Sequence, residues 1–203
     1  MKLALLTLLS LIPIQVFGIV NEIALDFGYD RQIYGLKRQN SNVTRTYSAG
    51  LSTYIFDYTA IDFNASKSQD ITTENERYTV ATGIDLIGQQ NRVSTTVYGV
   101  GLKQMFASRS AWLIPGISLG YARQFVEYQS DLTIENTSTS AKTTISGGTT
   151  SQKIDSVFGT FSLQFKMTER LSLKASVKTL FPAFEFNKAR DNIKYAIGFS
   201  WIF

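Results

Sequence analysis

The sequence predicts an all-β fold: a closed antiparallel up-and-down transmembrane β-barrel of eight strands. Three observations predict it. Large apolar residues recur on every second position through most of the chain, which is the spacing of a strand with one greasy face. The opposite face is built of Gly, Ser and Ala with scattered charges. The links between these segments alternate between very short turns and long polar stretches.

Residues 1–18 read as a secretory leader, with Lys2 as its basic start, an apolar run, and Val16 and Gly18 small enough for a cleavage site. The remaining 19–203 read as one barrel domain. In "EIALDFGYD" (22–30), Ile23, Leu25, Phe27 and Tyr29 oppose Ala24, Asp26, Gly28 and Asp30. In 45–56, Tyr47, Ala49, Leu51 and Ile55 oppose Ser48, Gly50, Ser52 and Tyr54; in 59–66, Ile61 and Phe63 oppose Asp62 and Asn64. Residues 97–106 set Tyr98, Val100 and Leu102 against Gly99, Gly101 and Lys103. Residues 113–125 set Ile117, Leu119 and Tyr121 against Gly116, Ser118 and Gly120. Residues 157–167 set Phe161, Leu163 and Phe165 against Phe158, Thr160, Ser162, Gln164 and Lys166. Residues 170–181 set Leu171, Leu173 and Val177 against Ser172, Lys174 and Lys178, and "YAIGFSWIF" (195–203) ends the chain on alternate aromatics.

Short turns are expected near 57, 107–111 and 168–169, and longer polar links at 31–44, 67–92, 129–152 and 182–191; the Thr-rich 129–152 reads either as a mobile loop or as a β-hairpin extension beyond the membrane. The stretch 76–90 leaves two options open, an extension of a long hairpin or two further strands of a ten-stranded barrel. Pro115 inside a strand is discordant, because proline cannot donate to a ladder.

Which face points outward follows from volume. A water-soluble eight-stranded barrel fills its interior with bulky apolar side chains, and Gly50, Gly99, Gly101, Gly116, Gly120 and Gly198 cannot fill it. Turning the greasy face to lipid and the small polar face to the lumen removes the conflict. Closure then satisfies every backbone group that hydrocarbon would leave unpaired. Aromatics near strand ends, among them Tyr29, Tyr47, Trp112, Phe181, Tyr195 and Trp201, read as interfacial girdles.

On these features the chain resembles the small bacterial outer-membrane barrels, the superfamily of the OmpA membrane domain, OmpX and OmpW. The resemblance implies a bacterial outer membrane with both termini on the periplasmic side. Its partners would be outer-membrane lipid, lipopolysaccharide and, during biogenesis, the barrel-assembly machinery. In that superfamily a final aromatic preceded by alternating hydrophobics is the assembly signal, which Phe199, Trp201 and Phe203 match.

The chemistry is bounded by what is missing. The chain has no histidine and no cysteine, which closes the usual His-activated hydrolase route and disfavours a transition-metal site. No enzyme activity, cofactor or metal is expected. The net charge of +4 is dispersed, so no nucleic-acid partner is expected. On the lumen face, Asp26, Asp30, Asp62, Lys103, Lys166, Lys174, Lys178 and Lys194 are expected to form a paired interior network, with Asp30 opposite Lys194 and Asp26 near Gly198 and Lys174. The expected function is a rigid barrel with a side-chain-filled lumen, acting structurally and at the surface through links 67–92 and 129–152. The alternative is a narrow pore for ions or small solutes.

Overall fold

The computed structural model describes residues 20–183 and 192–203. The leader reading of 1–18 and much of link 182–191 fall outside them. Ten strands follow in chain order: β1 (Asn21–Tyr34), β2 (Asn40–Tyr54), β3 (Thr59–Glu74), β4 (Tyr78–Ala81), β5 (Ile84–Met105), β6 (Leu113–Asn136), β7 (Lys142–Ser146), β8 (Thr150–Lys166), β9 (Leu171–Pro182) and β10 (Ile193–Ile202). Eight of them close a barrel in the order β1–β2–β3–β5–β6–β8–β9–β10 and back to β1, every pairing antiparallel.

The seam is made by the first and last strands, from Glu22 opposite Ile202 to Phe27 opposite Ile197. Asn21 and Phe203 exchange both backbone hydrogen bonds at 2.9 Å. The terminal aromatic is therefore a rung of the ladder, and the closed sheet has no free edge at this level.

The two remaining strands settle the strand count. β4 pairs with the far end of β5 and β7 with the far end of β6, so both extend hairpins beyond the barrel instead of widening it to ten. The long links are mostly ladder. β5 runs 22 residues and β6 24, whereas a tilted strand crosses a bilayer in about 9–11. About half of each strand stands clear of the apolar band. The hairpin-extension option for 76–90 is therefore the one the structure takes; alternation alone could not choose it, because outside lipid neither face has to be apolar.

The inside-out premise holds. Leu25 and Leu119 are each 60% exposed and Phe199 53%. Among the described residues only a few apolar side chains are buried, most of them in two small lumen clusters. One of these clusters qualifies the small-residue rule. Phe158, 1% exposed, points inward beside Val97 and Ala122. A Cβ on Gly120 would sit 2.7 Å from its ring, and one on Gly99 3.1 Å, so those glycines vacate the space that Phe158 fills. Pro115 is the third residue of β6, and its carbonyl still accepts from the Phe106 N–H at 2.9 Å.

Candidate functional site: the lumen and its two ends

The lumen is closed at the end that carries the short turns, the start of β1 and Phe203. Its floor is built around Glu22, 1% exposed. The Glu22 carboxylate accepts from Lys103 Nζ at 2.7 Å, Tyr54 OH at 2.5 Å and Gln164 Nε2 at 2.7 Å. β1, β2, β5 and β8 each supply one member, so the floor spans the bore. Tyr54, Ala60, Met105 and Ile114 pack beneath it as an apolar layer, and the Arg109 guanidinium sits 4.9 Å from the Tyr54 ring centre. A carboxylate this deeply buried persists only when its charge and lone pairs are met, and here they are.

Glu22, Tyr54 and Gln164 were absent from the expected network, although the signal was present. Glu22 shares the parity of Asp26, and Tyr54 and Gln164 lie on the lumen-facing sides of their strands. What alternation could not supply was the register that brings four strands to one level.

Above the floor, Lys174 Nζ lies 3.0 Å from Asp26 Oδ2, and Asp26 is the rung partner of Gly198. Ser52 donates to Asp62 at 2.9 Å. Lys178 donates to the Asn64 carbonyl oxygen at 3.1 Å and stands 5.3 Å from the Phe158 ring centre. Around these groups is a cavity of about 360 Å³, with Asp26, Asp62, Asp70, Lys174, Lys178 and Lys194 in its wall. The lumen is thus filled at one end and hollow above it, not filled throughout.

Two members of the expected network, Asp30 and Lys166, stand elsewhere, and a third, Lys194, takes other partners than the one expected. The β1–β10 ladder stops at Phe27–Ile197, so Asp30 has no rung with Lys194. Asp30 is exposed and accepts from Gln32 at 3.2 Å. Lys194 instead reaches Ser68 at 2.7 Å and Asp70 at 3.8 Å, because a four-carbon stem inside a narrow bore spans to other strands as readily as along its own rung. Lys166, at the end of β8, donates to the Arg109 carbonyl at 2.8 Å and serves the adjacent turn, with no carboxylate in ion-pair range among the described residues.

Lys174→Met strands the Asp26 carboxylate, whose second oxygen already lacks a partner among the described residues. The expected cost is about 2 kcal/mol, seen as a lower unfolding temperature in detergent micelles. An unchanged transition would show that the pair carries no stability.

At the far end the strands form a wall. Asn40 donates to Glu76 at 3.1 Å and its carbonyl oxygen accepts from the Asn75 N–H at 2.9 Å. Hydrogen bonds from Tyr78 and Asn40 hold the Glu76 carboxyl below the usual carboxylate range. Arg77, just before β4, lies 3.4 Å from Asp85 and also pairs with Glu135, tying the entry to β4 onto β5 and β6.

On the outside, Phe199, Trp201 and Phe203 face away from the lumen, 53%, 47% and 42% exposed. Trp112 and Phe165 pack with their rings tilted at 49° and their centres 6.3 Å apart. Phe181 is buried and adds nothing to the girdle.

No protein-family model matches the sequence, and no curated protein matches it either. Solved structures do. The N-terminal β-barrel domain of Pseudomonas aeruginosa OprF superposes with a TM-score of 0.51 at 14% identity, over 91% of this chain and 97% of that one. Yersinia pestis Ail, crystallised with the heparin analogue sucrose octasulfate, gives 0.44 at 14% over 91% and 97%. Neisserial surface protein A gives 0.42 at 9% over 92% and 96%. At such identities the likeness is one of fold, and of these three the OprF match is close enough to weigh. The chain has the fold of the small outer-membrane eight-stranded barrels, the group the sequence resembled.

Proposed function

We propose that this chain is an outer-membrane protein of a bacterial envelope, with its termini and short turns in the periplasm and its tall strands at the cell surface, where they present a binding wall. The observation that carries this reading is the length of β5 and β6, each about twice what the bilayer requires. A hydrogen-bonded wall is ordered before any partner arrives, which cuts the entropy lost on binding. The exposed terminal strand, with Phe199, Trp201 and Phe203, supports recognition by the assembly machinery, and the buried Glu22 floor supports a structural role over a catalytic one.

The test is proteolysis of intact cells. Cleavage is expected at the turn after β6 and at 147–149, with 113–136 and 150–166 left whole. Full resistance on intact cells together with cleavage after lysis would place the wall on the wrong side. The narrow-pore reading is favoured by the 360 Å³ cavity and opposed by the floor beneath it. Stable unitary conductance steps in planar bilayers would support the pore.

A further inference from the structure

Beyond the surface wall, the lumen cavity carries charges that the barrel itself leaves unmatched. Above the floor its wall holds Asp26, Asp62, Asp70, Lys174, Lys178 and Lys194. Most of these meet within the fold: Lys174 lies 3.0 Å from Asp26, and Lys194 lies 3.8 Å from Asp70. Lys178 and Asp62 do not. Lys178 Nζ donates to the neutral Asn64 amide oxygen at 3.1 Å and stands over the Phe158 ring. Asp62 accepts from Ser52 at 2.9 Å. Among the described residues no carboxylate lies in ion-pair range of Lys178, and no cation in range of Asp62.

These two groups share one space at a set spacing. Asp62 and Asn64 lie on the lumen face of β3, a two-residue step of about 7 Å apart, and Lys178 is tied to Asn64. The ammonium and the carboxylate therefore stand roughly one such step from each other, too far to pair and close enough for one small molecule to touch both. An α-amino acid holds its own ammonium and carboxylate about 3 Å apart. With a charge-assisted hydrogen bond of about 2.8 Å at each end, it spans that step.

Further from the short turns the same wall becomes aliphatic, through Leu180 on β9, Ile154 on β8, Val126 on β6 and Val93 on β5. A side chain directed toward the tall strands would lie against them. The volume of about 360 Å³ is that of a small-molecule pocket. The Glu22 floor closes the other end, so entry and exit share the tall-strand side.

We propose that the lumen is a blind pocket for a free α-amino acid with an aliphatic side chain, its carboxylate on Lys178 and its ammonium on Asp62. Such an occupant supplies each group with the counter-charge that burial demands and that the barrel does not provide.

The test is equilibrium dialysis of the full chain, folded in a non-ionic detergent, against radiolabelled leucine. The wild-type chain is expected to bind leucine saturably. It should prefer leucine about tenfold over leucinamide, which lacks the carboxylate, and over N-acetylleucine, which lacks the ammonium. Glycine, which has no side chain to bury, should compete about tenfold less well than leucine. K178M is expected to erase the preference over leucinamide and D62N the preference over N-acetylleucine, while K142Q, on β7, keeps both. Heat-modifiability on gels shows that each variant is folded. Absence of saturable leucine binding by the wild-type chain would overturn the proposal, and so would equal binding of leucine, leucinamide and N-acetylleucine; neither result needs a variant to fold. Preferences that survive K178M and D62N in folded barrels would overturn the assignment of the two residues, and equal competition by glycine that of the aliphatic wall.

Discussion

Lys103→Met is expected to be the most damaging single change in the lumen. It removes the only cation in ion-pair range of Glu22 among the described residues, on a carboxylate that is 1% exposed. Tyr54 and Gln164 would still donate, but the charge would have no counterion. Leaving one member of a buried pair behind costs about 3–5 kcal/mol. The measurement is the unfolding midpoint in micelles, with Glu22→Gln/Lys103→Met as the companion variant. The double variant replaces the charged pair with a neutral amide and a methionine, and should recover much of the loss. Equal loss in the single and double variants would show that the harm comes from packing, not from stranded charge.

The second large effect lies on the opposite face. Leu25 is 60% exposed and sits between Ala49 and Phe199 on the ladder. On a soluble protein, exchanging so exposed a leucine for arginine would change stability by only about ±0.5 kcal/mol. Near the middle of a bilayer, the same Leu25→Arg exchange costs about 2–4 kcal/mol. Chemical denaturation from lipid vesicles reads this directly. A control at Ser94, outward on β5 but beyond the apolar band, should tolerate arginine. If Leu25→Arg is neutral in vesicles, the apolar exterior does not face lipid.

The two variants separate what is local from what is not. The fate of Leu25 was legible in the sequence, because a two-residue period fixes the side of every residue once one face is assigned. Glycines at 99, 101, 116, 120 and 198 decided that assignment by lacking the volume for a soluble core. The turns near 57, 107–111 and 168–169 were legible for the same reason, since they interrupt the period. The role of Lys103 was not legible. Its partner Glu22 lies on another strand 81 residues away, and only the ladder offsets bring the two to one height. The same gap explains Asp30 and Lys194, whose expected rung requires the β1–β10 ladder to run further than Phe27–Ile197. It also explains why 76–90 and 129–152 stayed open between readings: with polar residues on both sides of the chain, only backbone pairing shows that they extend the hairpins.

The sequence by itself determined the strand alternation, the closed apolar-out barrel and the identity of the terminal strand. These depend on side-chain volume and polarity within a few residues. The tertiary structure decided which charges meet, where the bore is plugged, and how far the wall rises. Those outcomes depend on register and strand tilt, which sum over the whole circuit of the sheet and leave no trace in any one segment.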